Sequence, residues 1–298
     1  MKPSEFEERE YEGYLYPQIS TNPNIWPTGQ VFEHYIGIDY ALLMEKEWLF
    51  NMHGFRRILP GAAPSRYRWP RRWFLRRTTD TLPSFRLNLF IQSKRSEWNP
   101  RASRILRDQG IQGLHWRFNI DEGQQKSLEK VWDKLKSRAL VVYAAPAFHT
   151  HRDLRRYSRN GTLAEMSTFP SVHLLKGHQA WYYQQPGAVG VAHSKPERIE
   201  ETPLQDRVQK IIVEQSTNDT GPWHKNLAIL SSEILAALSE EDLEETSRLA
   251  SFFSAVAEIK GVKGDFDYKD AWNSFYIVDA FCETFMLDWY VLQEKGAD

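Results

Sequence analysis

The chain has 298 residues, of which 41% are hydrophobic, 13% aromatic and 26% charged. That composition excludes low-complexity and fibrous classes and suits one large domain or two small ones with a proper core. The single cysteine, Cys282, excludes an internal disulfide and Cys-based zinc sites. No run of about 18 apolar residues occurs, and the N-terminus, MKPSEFEERE, is charged and polar, so a cytoplasmic protein without membrane contact is expected.

The net charge of −1 conceals an asymmetry. Residues 233–298 hold 15 acidic and 5 basic side chains, leaving 24 of the 39 acids and 33 of the 38 bases in the rest. A basic body with an acidic tail fits polyanion binding. Two solvated faces of opposite sign on neighbouring units explain the charge equally well. The 11 tryptophans serve cores, interfaces and base stacking alike and do not choose among them.

In chain order, residues 3–16 read as a short helix with Ser4 as N-cap and Glu7 completing a capping box. A loop with Pro23, Pro27 and Gly29 follows. β-branched and aromatic residues then favour a strand over 36–44. Residues 45–54 either extend that strand or begin a short helix. The stretch 54–79 carries Arg56, Arg57, Arg66, Arg68, Arg71, Arg72, Arg76 and Arg77 and no acid, with Tyr67, Trp69, Trp73 and Phe74 lying among them. Arginine planes interleaved with rings are what nucleic-acid grooves use; arginine stems covering core aromatics are the structural alternative.

Residues 85–92 read as a strand buried on both faces, followed by a second basic stretch containing Lys94, Arg95, Arg101, Arg104 and Arg107. A short strand is expected over 115–120. Asp121 then N-caps a helix whose Leu128, Val131, Trp132 and Leu135 share one face. The continuous apolar run 139–148 is the next strand, and strand, helix, strand suggests a βαβ-like crossover in an α/β sheet. Arg152, Arg155, Arg156 and Arg159 fall on a short helix over 151–161. Mixed strand and turn signals fill 167–200, and helices are expected over 204–214, 228–238, 240–259 and 268–294. The simplest division is a body over 1–200 and an acidic helical subdomain over 201–298.

Gln92 and Lys94 are two residues apart on a strand, so their side chains share a face. Asp39 follows Gly37-Ile38 in another strand, and Glu33 lies six residues earlier. Phosphodiester hydrolysis needs a divalent cation held by oxygen ligands and gains from a cation near the scissile phosphate. The alternatives are ordinary: Asp39 as a turn residue, Glu33 as a surface carboxylate, Lys94-Arg95 as a solvated strand end.

Glu-x-x-x-Gly-x-Asp over 33–39, followed later by an apolar strand ending Gln-x-Lys-Arg, resembles the PD-(D/E)xK restriction-endonuclease-like nuclease superfamily. The likeness is to members with Gln in place of the middle acid, such as Mrr-type and anti-phage defence nucleases, and covers roughly the first half of the chain. It implies a mixed central sheet flanked by helices, with 54–79 as an Arg-rich insertion. It also implies Mg²⁺, or Mn²⁺ in its place, on Asp39 and Gln92, with Glu33 assisting and Lys94 as the catalytic lysine. Arg95 and the arginines of 54–79 would then contact DNA, and the C-terminal helices would meet a protein partner or a second copy. The alternative function is a non-catalytic nucleic-acid-binding or assembly subunit of a defence complex. Histidines offer a rival metal site: His149 and His151 at a strand end, with His173, His178 and His193 downstream. No HExxH, G-x-S-x-G or P-loop pattern is present.

Overall fold

A computed structural model describes residues 1–19, 25–27, 87–187, 189–215, 223–240, 247–261 and 269–292. The fold is mixed α/β, with two sheets among the described residues. The strand expected over 36–44, with Glu33 and Asp39, and the arginines of 54–79 lie outside them.

The five-stranded sheet positions the site. Its centre is β3 (Leu87–Ser93), parallel to β6 (Ala139–Pro146), with Gln92 opposite Tyr143 and Ser93 opposite Ala144. On its other side β3 pairs antiparallel with β11 (Asp288–Leu292), which pairs with β2 (Ile25–Pro27); β7 (Ser167–Thr168) closes the far edge beside β6. β3 and β6 are buried along both faces because both are covered, as central parallel strands are, with Asn88, Gln92 and Ser93 as the buried polar residues of β3. Leu89 and Ile91 pack with Tyr11 and Leu15 of α1 (Glu8–Ile19). Phe90 faces the opposite layer, where α3 (Glu122–Leu135) contributes Leu128, Val131 and Leu135. The helices α6 (Trp223–Leu238), α7 (Ser247–Gly261) and α8 (Lys269–Phe285) add Leu230, Phe252 and Phe281 to that same core.

The second sheet is antiparallel, in the order β1 (Lys2–Pro3), β4 (Glu97–Asn99), β5 (His115–Asn119), β8 (Ala180–Tyr183), β9 (Val189–His193), β10 (Glu197–Glu200). Here the expected crossover is corrected. The strands flanking α3 belong to different sheets, and the parallel partner of β6 is β3, not β5. The reason lies in β5 itself: Trp116 and Phe118 are buried while Arg117 meets Glu97 at 2.5 Å, the one-sided pattern of an antiparallel strand.

Two helix expectations also change. α1 starts at Glu8, because residues 2–3 pair with β4 and the Ser4 hydroxyl donates to the Ser96 carbonyl at 2.7 Å instead of capping. Glu10 reaches back to accept from the Glu7 N–H at 2.8 Å, which is the carboxylate half of a capping box. The helix expected over 268–294 ends at Phe285. Met286 adopts φ 53°, Leu287 N–H donates to the Cys282 carbonyl at 2.8 Å, and the chain leaves as β11. This is a Schellman termination with methionine in the left-handed position.

Of the remaining helices, α4 (His151–Asn160) and α5 (Leu204–Gln215) pack Leu154 and Val208 into the core shared with α1, and α2 (Arg104–Asp108) packs Leu106 against Ile111 and Val191. α4 is capped by Thr150 and ends at Gly161 with φ 69°, as its sequence suggests. No helix among the described residues is long and apolar enough to cross a membrane.

Candidate active site at the end of the central strand

The C-terminal end of β3 places Gln92 and Lys94 on the face toward α3 and α8, as their spacing requires. Gln92 is fully buried, and its Nε2 donates to the Phe285 carbonyl at 3.2 Å. That carbonyl belongs to the last turn of α8 and has no helical partner of its own. Gln124 on α3 donates to the same oxygen at 2.6 Å, so two amides close this helix end. With its N–H committed, Gln92 turns its Oε1 elsewhere, and that buried oxygen has no hydrogen-bond partner among the described residues.

Lys94 extends the ladder, its N–H donating to the Ala144 carbonyl at 2.8 Å. Its ammonium donates to Gln124 Oε1 at 3.3 Å and lies 5.6 Å from the centre of the Tyr143 ring. One of its three donors is thereby used. Burial pulls the Lys94 pKa below the usual lysine value; the charges of Glu8 and Asp121 oppose this and Arg248 reinforces it. Asp121 caps α3 through the Gln124 N–H at 2.8 Å and pairs with Arg248 at 2.9 Å. The Gln124 N–H, ahead of Arg248 and Lys94, holds the Asp121 carboxyl below its ordinary value. Below the lysine, Tyr143 is buried and donates to Gln125 Oε1 at 2.6 Å.

The other face of the same strand end is acidic. Ser93 Oγ lies 2.9 Å from Tyr16 Oη. Glu12 on α1 is pushed up to about 7 by burial, with the charges of Asp288 and Glu8 adding to it. Asp288, which starts β11 opposite Ile91, is pushed up to about 6 by burial. Sequence reasoning missed both carboxylates. The available signal was Glu8, Glu12 and Tyr16 recurring every fourth residue along one side of a helix; nothing local announces Asp288.

Arg95 is engaged with the N-terminal segment. Its guanidinium meets Glu7 at 2.8 Å and donates to the Ser4 carbonyl at 2.6 Å, and its N–H donates to Glu8 at 3.1 Å. The structure therefore brings Gln92 and Lys94 together and turns the Arg95 side chain to the N-terminal segment, while Glu33, Asp39 and the arginines of 54–79 lie outside the described residues. The histidines are dispersed: His149 stacks on Trp98 at 4.2 Å, His173 on Trp132 at 4.1 Å, and His178 lies 3.8 Å from Glu197. No group of three His, Cys, Asp or Glu side chains suited to one metal ion occurs among the described residues.

No family model, curated protein or solved structure matches the chain. The end of β3 gathers one buried oxygen without a donor, one desolvated ammonium with donors to spare, and two half-buried carboxylates of raised pKa on the opposite face.

Proposed function

We propose that the chain is a metal-dependent nuclease that hydrolyses phosphodiester bonds of DNA in bacterial defence or restriction, on a restriction-endonuclease-like sheet. The observation that carries this reading is the pairing of Gln92 Oε1, buried without a donor, with the desolvated Lys94 ammonium on one face of one strand. Burying an amide oxygen without a hydrogen bond costs about 1–3 kcal/mol, so its retention suits an oxygen-seeking cation. Gln92 and Asp39 would hold Mg²⁺ or Mn²⁺, which when bound activates water and neutralises phosphate charge. Lys94 presents its remaining donors to a phosphate oxygen. Its partial desolvation makes that interaction stronger than the same contact in water. Gln124 is the positioning residue, since its Oε1 holds the ammonium while its N–H groups fix both α3 and α8.

The test is cleavage of supercoiled plasmid with Mg²⁺ or Mn²⁺ by wild type, Lys94→Met and Asp39→Ala. Loss of one charge-stabilising donor is expected to slow cleavage by about 10²-fold or more. Metal-dependent cleavage that is unchanged in both variants removes this assignment of the site. Salt-sensitive DNA binding with no cleavage by wild type favours a non-catalytic binding subunit instead.

A further inference from the structure

The most concentrated unpaired charge among the described residues lies on α4. Arg152, Arg155, Arg156 and Arg159 are all exposed. At about 100° per residue they fall within roughly one quadrant of the helix, opposite the buried Leu154. Arg156 is engaged by Asp153 at 2.9 Å and by the Tyr157 ring at 4.6 Å. Arg152, Arg155 and Arg159 make no hydrogen bond or ion pair among the described residues, although Glu10 lies close enough to Arg155 to feel its charge. Arg95, Arg117, Arg198, Arg207 and Arg248, by contrast, each meet a carboxylate at 2.9 Å or less.

The helix bearing these arginines is firmly fixed. Thr150 caps it, the His151 N–H donates to Glu5 at 2.9 Å, and Gln18 of α1 donates to the Ser158 carbonyl at 3.3 Å. It also starts where β6 ends, at the end of the sheet that carries Lys94, whose N–H is bonded to Ala144 of β6. From Arg152 to Arg159 the helix rises about 10 Å, a length over which duplex DNA carries about six phosphate charges.

We propose that the outer face of α4 is a docking strip for the phosphate backbone of duplex DNA, with Arg152, Arg155 and Arg159 as its contacts. The inference deepens the nuclease reading and rests on its DNA substrate. Such contacts position the duplex without reading its sequence.

The test measures binding of a labelled random-sequence DNA duplex across KCl concentrations without divalent metal. Wild type is compared with the triple variant Arg152→Ala, Arg155→Ala, Arg159→Ala, and with Arg101→Ala, Arg104→Ala, Arg107→Ala as an equal change of charge at other exposed positions. Alanine favours helix, so the α4 variant folds, as circular dichroism verifies. Losing three phosphate contacts lowers the salt slope by about 2.7, and the affinity lost between about 50 and 200 mM KCl shrinks roughly 40-fold. The control triple keeps the wild-type slope. Equal behaviour of the two triples, a wild-type slope in the α4 variant, or no duplex binding by wild type overturns the strip. Plasmid cleavage dependent on Lys94, measured separately, leaves the nuclease reading standing in each of those cases.

Discussion

Replacing Gln92 by methionine separates what the amide does for the fold from what its oxygen does for the site. The substitution removes the 3.2 Å hydrogen bond to the Phe285 carbonyl, a loss of about 0.5–1.5 kcal/mol. The carbonyl itself stays satisfied, because Gln124 donates to it at 2.6 Å. The substitution also removes a buried acceptor with no donor, a gain of about 1–3 kcal/mol. Methionine is unbranched and fits the same fully buried space. The balance is neutral to stabilising by about 0–2 kcal/mol, or a rise of a few degrees in the unfolding midpoint at roughly 2–4 °C per kcal/mol. Removing both amides is different: Gln92→Met with Gln124→Met strands the Phe285 carbonyl, so the double variant loses about 1–2 kcal/mol more than the two single changes together. Calorimetry with and without Mg²⁺ reads both consequences, since a ligand of the native state raises the midpoint in proportion to its binding. Wild type should rise with Mg²⁺ and Gln92→Met should not. A Gln92→Met protein destabilised by more than about 2 kcal/mol, or one that keeps the Mg²⁺ response, refutes the reasoning.

Glu12 supplies a pH dependence of definite sign. Its carboxyl is pushed up from 4.5 to about 7 in the folded chain, so the folded state binds the extra proton between those values and stability falls as pH rises through that window. Glu12→Gln should therefore flatten urea-derived stability between about pH 4.5 and 7 and stabilise the chain above it, by about 1 kcal/mol once partial exposure is allowed for; a variant less stable than wild type at pH 8 contradicts this. Gly190→Ala probes the antiparallel sheet, because a Cβ there would overlap the buried Trp181 ring and the Tyr182 carbonyl. A loss of about 1–3 kcal/mol in urea unfolding is expected, and a change below about 0.5 kcal/mol shows that the strand has room.

What the sequence made legible was local. Asp121 before an amphipathic run, Thr150 and Gly161 around α4, the largely apolar β3 and the unbroken apolar run of β6 each carry their own signal. The shared face of Gln92 and Lys94 follows from a period of two. The long-range pairings were hidden. Gln92 finds its acceptor 193 residues away, and β11 is written in residues that continue the preceding helical pattern until Met286 turns left-handed with no glycine to announce it. β5 sits beside β8 rather than β3 because the choice between two sheets depends on which partner covers Trp116 and Phe118. No short window records that.

The Phe285 carbonyl explains why position 92 holds glutamine, whatever the site does. A carboxylate there would set oxygen against oxygen at a buried helix end, with no proton to offer the carbonyl unless it were protonated. Glutamine resolves the conflict by donating with one end and leaving the other free, so the bond that finishes α8 also orients Oε1. The same amide has one negative charge fewer than an acid to offer a cation. On the reverse face of that strand end burial raises the Glu12 carboxyl to about 7, with the Asp288 charge adding to it, and raises Asp288 to about 6. A cation near β3 would lower both of their pKa values. Glutamine at position 92 thus satisfies the helix end and still leaves an acceptor free, and a cation held there, as proposed, would be read in the titration of Glu12 and Asp288.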